Sequence, residues 1–214
     1  MTDGPTLVLV RHGSTSWSES GRHTGRTDVP LDEHGEQVAR SLGELLGAAT
    51  FVQVRVSPLQ RAMRTAELAG LGPVTVDDDL MEWDYGGYEG LTTAQIRTAR
   101  GDRWRVFDDG VAPGGPGQTP GENIYELADR ARHVLMRVRE PLTHGPVALV
   151  GHGHALRVLA TVWLGLPPQS GAMLELGTGS VSVLSTARDV PAIRLWNTQP
   201  GPSVPPWAPP TAGG

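Results

Sequence analysis

The chain has 214 residues, 38% apolar and 19% charged, enough to bury the core of one α/β domain. Its net charge of −5 offers no general attraction to nucleic acid or to an anionic membrane. Cysteine is absent, which removes disulfides, thiolate catalysis and cysteine-based metal sites.

All 18 basic residues are arginine, so any phosphate must be held by Arg, His or backbone amides. The start, MTDGPTLVLVRHG, lacks a basic leader, and no stretch approaches the length of a membrane span. The expectation is a cytoplasmic protein that binds neither nucleic acid nor membrane.

Residues 6–10 read as a buried strand. Residues 31–47 have helical spacing, with Val38, Leu42, Leu45 and Leu46 on one face and Asp32 as N-cap. A second strand is expected over 51–56, a helix opening at Ser57-Pro58 and running to 69, and a short strand over 74–76. A helix capped by Thr92 follows to residue 100, then a Gly/Pro loop over 108–123. The next helix, about 122–139, turns Leu127, Ala131, Val134, Leu135 and Val138 inward. A strand over 146–150 runs into a helix beginning in GHGHALRVLA. Residues 173–176, 181–184 and 192–196 read as a closing run of strands. From Thr198 onward TQPGPSVPPWAPPTAGG cannot form a packed element. The expected organisation is a single catalytic domain over 1–197, with a flap at about 83–122, and a disordered tail over 198–214 carrying Trp207.

Strands alternating with helices predict an α/β fold, a three-layer α/β/α arrangement around a mostly parallel sheet. Ligands in such sheets bind beyond the carboxyl ends of the strands. Three apolar runs end in polar, cation-bearing segments: LVLV in Arg11-His12-Gly13, VQVRV in SPLQRAMR, and VALV in Gly151-His152-Gly153-His154. Parallel strands bring these ends to one edge and build an anion site there. Arg11, Arg61 and His152 are candidates to surround a phosphoryl group, with Gly13 and Gly153 allowing close backbone approach. His12 at the centre is the candidate nucleophile, and Glu82 in LMEWDYGGYEG the candidate proton donor. Trp83, Tyr85 and Tyr88 stand beside Glu82 and are expected to desolvate it partly, favouring its protonated form.

The segments LVLVRHGSTSW, GRHTGRTDVPL, SPLQRAMRTAELAG, MEWDYGGYEGLT and LVGHGHALRVLA, in this order over residues 6–165, together resemble the phosphoglycerate-mutase-like branch of the histidine phosphatase superfamily. GRHTG and EWDYGGYEGLTT look closer to its small broad-specificity or sugar-phosphate phosphatases than to its glycolytic mutases. The resemblance implies a phosphohistidine on His12, a proton-donating Glu82, a phosphate pocket of Arg11, Arg61 and His152, and neither metal nor cofactor. It also implies that Thr24, Gly25 and Tyr85 line the substrate side, with Gly153 beside the phosphate. Ser18 stands where relatives commonly carry Asn, so its phosphate contact loses an amide. The flap motif, often Gly-Glu-Ser, reads Gly121-Glu122-Asn123.

The expected function is a metal-independent phosphomonoesterase acting on a small phosphate ester. A cofactor-dependent phosphoglycerate mutase and a non-catalytic phosphate or phosphopeptide binder are the alternatives. Arg97, Arg100, Arg103 and Arg105 make one segment basic, which suits a substrate with a second anionic end. Attack by neutral His12 and donation by protonated Glu82 predict a bell-shaped pH profile. His23 is a candidate substrate contact, and the His152/His154 pair lacks a third metal ligand. Arg64 and Glu89 read as an ion-pairing surface residue and an ordinary loop carboxylate. His34, His133 and His144 read as exposed, Trp163 as core, and Trp104 as packing under the flap. An exposed edge strand could pair subunits into a homodimer.

Overall fold

The computed structural model describes residues 4–47 and 49–201. Residues 202–214, with Trp207, lie outside the described residues, so the expected tail is described only to residue 201.

Strand β1 (Leu7–Arg11) begins with four apolar residues, none more than 1% exposed. Burying each stabilises the fold by roughly 1.5–3 kcal/mol. Alternation splits the run between the faces of the sheet. Val8 and Val10 join Leu42, Leu45 and Leu46 on one side, while Leu7 and Leu9 join Leu156, Leu159 and Val134 on the other. The sheet has six strands in the order β3-β2-β4-β1-β5-β6. β2 (Gln53–Val56), β3 (Val74–Val76) and β4 (Val147–Gly151) run parallel to β1, while β5 (Val181–Ala187) is antiparallel to β1 and β6 (Val190–Thr198) is antiparallel to β5. The parallel part brings the carboxyl ends of β1, β2 and β4 side by side: Arg11 registers against Gly151, and Ser57 N–H donates to Val150 O.

A short helix α1 (Ser16–Glu19) follows β1. Helix α2 (Glu33–Leu46) is capped by Asp32, as expected, and buries Gly35, Ala39, Leu42, Leu45 and Leu46, whereas Val38 is only half-buried. The small residues let α2 approach closely: a Cβ on Gly13 would stand 2.4 Å from Gly35 O. Helix α3 (Gln60–Leu68) starts later than Ser57-Pro58 suggests, because Ser57 and Pro58 form the turn that carries Ser57 Oγ to His152. Helices α4 (Thr93–Arg100) and α5 (Val106–Asp109) belong to the flap. The flap is no loose cover. Trp83, Tyr85, Tyr88, Ile96, Trp104 and Phe107 form a third apolar cluster against α6 (Ile124–Val138) and α7 (Gly153–Trp163).

The closing run differs from the expectation. Residues 168–173 form a 3-10 turn and 174–180 are irregular; only β5 and β6 are strands. Leu176 O accepts from the Arg11 guanidinium, so this segment is tied to the site and not to a strand ladder. β6 continues through Thr198, one residue past the expected domain boundary, and Gln199 Nε2 donates to Thr178 O. Trp163 is half-buried and caps a rim position, donating to Ser185 O. His34, His133 and His144 are exposed. Among the described residues, no helix is long and apolar enough to cross a membrane.

Candidate active site

A cavity of about 230 Å³ opens at the carboxyl edge of the sheet. Of the ten expected site residues, Arg11, His12, Ser18, Thr24, Glu82, Tyr85 and Gly153 line it. Arg61, His152 and Gly25 lie behind its wall.

His12 sits just past the end of β1, its N–H on Gly151 O at 3.1 Å. Its Nδ1 lies 2.6 Å from Gly13 O. A carbonyl only accepts, so Nδ1 carries the proton and Nε2 keeps its lone pair. Burial, reinforced by the positive charges of Arg61 and Arg11, holds the ring well below the ordinary imidazole pKa; the Gly13 carbonyl opposes this. His12 is thus a neutral imidazole at neutral pH, with its Nε2 lone pair free.

Arg11 donates to Leu176 O, while its buried Nε–H has no acceptor among the described residues. The guanidinium rests against Gly153, where a Cβ would stand 3.1 Å from Cζ. Only glycine leaves that space. Burial lowers the Arg11 pKa, partly offset by the charge of Glu82.

Arg61 is fully buried on α3. It donates to Thr27 O (2.9 Å), Thr24 O (3.2 Å), Gly25 O (2.9 Å) and His152 Nδ1 (3.2 Å). Four of its five N–H groups are engaged, so its main task is to hold the loop over residues 24–27. Since His152 Nδ1 accepts, Nε2 carries the proton and donates to Ser57 Oγ at 2.7 Å. Both nitrogens of His152 are occupied, and its ring backs His12 at 5.0 Å between centroids. Both residues stand directly behind His12 and the 24–27 loop and brace the pocket wall.

Gly25 is held from the Glu89 side. Its N–H donates to both oxygens of Glu89, and a Cβ there would stand 2.5 Å from Trp83 O. Glu89 is thus no ordinary loop carboxylate, for it also accepts from Thr27 N–H. Ser18 lines the cavity, but its hydroxyl is consumed in the capping box of α1: it accepts from Thr15 N and donates to Thr15 O. Arg64 pairs with Glu36 and Glu67 at the surface.

Glu82 is 6% exposed. Its carboxyl accepts three backbone N–H groups, from Trp83 (2.8 Å) and Ala155 (2.8 Å) on Oε1 and from His154 (3.0 Å) on Oε2. Two of these donors belong to the N-terminus of α7. The aromatic neighbours of Glu82, Trp83 and Tyr85, are buried as well. Trp83 Nε1 donates to Glu122 O, and the Tyr85 hydroxyl is hydrogen-bonded to His154 Nδ1. Burial, with the charge of Glu82, pushes the Tyr85 phenol well above its ordinary pKa. His152 and His154 thus bond to different partners. His23 reaches the cavity, edge-on to Tyr85, with its Nδ1 on Leu91 O.

Thr15, Arg22, Thr93 and Arg157 also line the cavity and were not expected there. Arg157 had a readable signal, since it lies four residues after Gly153, on the same face of α7. Arg22 and Thr93 come from loops and helix starts that only tertiary folding joins.

The model of the histidine phosphatase superfamily (branch 1) matches residues 7–199. The chain belongs to this superfamily. Acid phosphatase of Mycobacterium tuberculosis is 40% identical over 179 residues, 83% of this chain and 84% of that protein. Sedoheptulose 1,7-bisphosphatase of Saccharomyces cerevisiae is 34% identical over 189 residues, 77% of this chain and 69% of that one. The solved mycobacterial glucosyl-3-phosphoglycerate phosphatase in complex with VO3 superposes with a TM-score of 0.77 at 32% identity, covering 90% of this chain and 98% of the other. This histidine phosphatase is therefore an enzyme of the phosphoric monoester hydrolase type, and the binder alternative is set aside.

The buried histidines set a pH expectation. His12, His23, His152 and His154 all have pKa values lowered by burial, so the folded protein refuses protons that the unfolded chain accepts below about 6.5. Stability should fall as pH drops through that value. The acid limb of kcat/KM should lie below 6.5, because His12 stays neutral there. Urea midpoints and kcat/KM measured from pH 4.5 to 8 check both. An acid limb at or above 6.5 would contradict the neutral, buried His12.

Proposed function

We propose that this enzyme is a metal-independent phosphomonoesterase for small phosphorylated metabolites that works through a phosphohistidine on His12. The observation that carries this reading is the unprotonated Nε2 of His12 in one cavity with Arg11 and Glu82. Nε2 attacks phosphorus in line, and the P–O ester bond breaks. Arg11 supplies N–H donors to the oxygens that gain charge in the transition state. The leaving alkoxide takes a proton from Glu82, most simply from Oε2, which has fewer donors upon it. Water then attacks the phosphohistidine, the N–P bond breaks, and Glu82 accepts the proton of that water. Inorganic phosphate and the alcohol are the products.

A second chamber of about 250 Å³ shares His23, Thr93, His154 and Arg157 with the first and is also lined by Arg97 and Arg105, with no carboxylate. Arg100 and Arg103 turn to a separate groove beside Asp102 and Asp109. This favours a substrate with a second anionic group beyond the scissile phosphate, although Arg105 is already paired with Asp108. The name of the yeast relative, a bisphosphatase, agrees with that class.

The test is phosphate release in EDTA from p-nitrophenyl phosphate and from matched sugar mono- and bisphosphates. Full activity in EDTA, with bisphosphates showing the lower KM, is the expected result. Loss of activity restored by a divalent ion sinks the mechanism. Isomerisation of a phosphoglycerate faster than its hydrolysis would favour the mutase alternative.

A further inference from the structure

We propose that the buried Arg130–Glu122 ion pair is a positioning device for the Glu82 carboxyl, an inference that rests on Glu82 serving as the proton donor. Arg130 lies on α6, outside the cavity, with its side chain 15% exposed and that of Glu122 10% exposed. The pair is bidentate: Nε meets Oε1 at 2.6 Å and Nη2 meets Oε2 at 2.7 Å. The remaining donors go to main-chain oxygens of one segment. Nη1 donates to Asp79 O (2.7 Å) and Met81 O (3.1 Å), and Nη2 to Glu82 O (3.4 Å).

Glu122 holds the same segment on the other flank of Glu82. Its Oε2 accepts from Asp84 N–H (3.4 Å), its N–H donates to Asp84 O (3.0 Å), and its carbonyl accepts from Trp83 Nε1 (2.6 Å). The backbone from residue 79 to 84 is thus fastened to one guanidinium–carboxylate pair on both flanks of Glu82. The carboxyl itself is fixed at its tip by α7, through His154 and Ala155. Base and tip come from different helices, so a shift of either moves the proton relative to the leaving oxygen.

Burying such a pair is expensive, and apolar residues of similar volume often stabilise as well. What apolar residues cannot do is address three carbonyls spread over four residues in fixed geometry. All five N–H groups of Arg130 are consumed by this task, leaving none for substrate. Arg130 and Glu122 are therefore positioning residues, and Glu122 of the Gly121-Glu122-Asn123 motif serves the proton donor, while Asn123 caps α6.

The test separates positioning from general structure by the leaving group. p-Nitrophenolate departs without a proton, whereas an alkoxide needs one. For Arg130→Met and Glu122→Gln, kcat/KM on glycerol 2-phosphate should fall about 10–100-fold further than on p-nitrophenyl phosphate. Glu82→Gln should show the same bias, more strongly. Retained aryl-ester turnover reports a folded site; if Arg130→Met does not fold, Glu122→Gln carries the comparison. Equal losses on both esters in these variants, with the bias present in Glu82→Gln, overturn the positioning inference alone. Equal losses in Glu82→Gln itself overturn the donor reading, and the inference with it.

Discussion

Replacing His12 with alanine will reduce phosphate release from p-nitrophenyl phosphate by on the order of 10⁴-fold or more. The aryl ester is the stringent substrate here. Its leaving group needs no proton, so loss of turnover cannot be assigned to the acid. The structural damage is small, because the ring's hydrogen bond is to its own neighbour, Gly13 O. Arg11 and the cavity wall remain, so vanadate or inorganic phosphate should still bind. Acid-labile phosphate should be trapped on the wild-type protein during turnover and be missing from the variant. Activity within tenfold of wild type would mean that water attacks phosphorus directly, and the phosphohistidine reading would be abandoned.

Replacing Arg61 with leucine will lower the unfolding free energy by roughly 3–5 kcal/mol, because several buried acceptors lose their donor at about 1–3 kcal/mol each. The loss comes from three carbonyls, at Thr24, Gly25 and Thr27, and from His152 Nδ1, all left without their donor in the interior. Activity should fall with it, since Thr24 lines the cavity and the His152 ring backs His12. Arg64→Leu, three residues along the same helix, gives the contrast. Its ion pairs are at the surface and screened by solvent, and its loss should leave the unfolding midpoint nearly unchanged. Urea unfolding of both variants makes the comparison. A drop below 1 kcal/mol for Arg61→Leu would show that the loop finds other donors, and that Arg61 belongs to the phosphate after all.

The elements were legible where periodicity is strong. The apolar run before Arg11, the Asp32 cap and the inward stripe of α6 each rest on local chemistry, and each stands where it was read. Residues 173–176 misled because an apolar run is ambiguous on its own. Its backbone is claimed by a side chain from β1, about 165 positions away in sequence.

By itself the sequence determined the chemistry on offer. Strand ends rich in Arg, His and Gly, no lysine or cysteine, and an acidic residue among aromatics specify an anion site at one sheet edge, because parallel strands must align their carboxyl ends. Tertiary structure alone decided which of those groups faces the cavity and which supports it. Arg61, His152, Gly25 and Ser18 have the right chemistry for contact, yet their hydrogen-bonding capacity is largely spent on carbonyls, a serine, a carboxylate and a helix cap. The Ser18 cap is local, but the other partners lie tens of residues away, and their assignment follows from the need to satisfy every buried polar group, which no local pattern records.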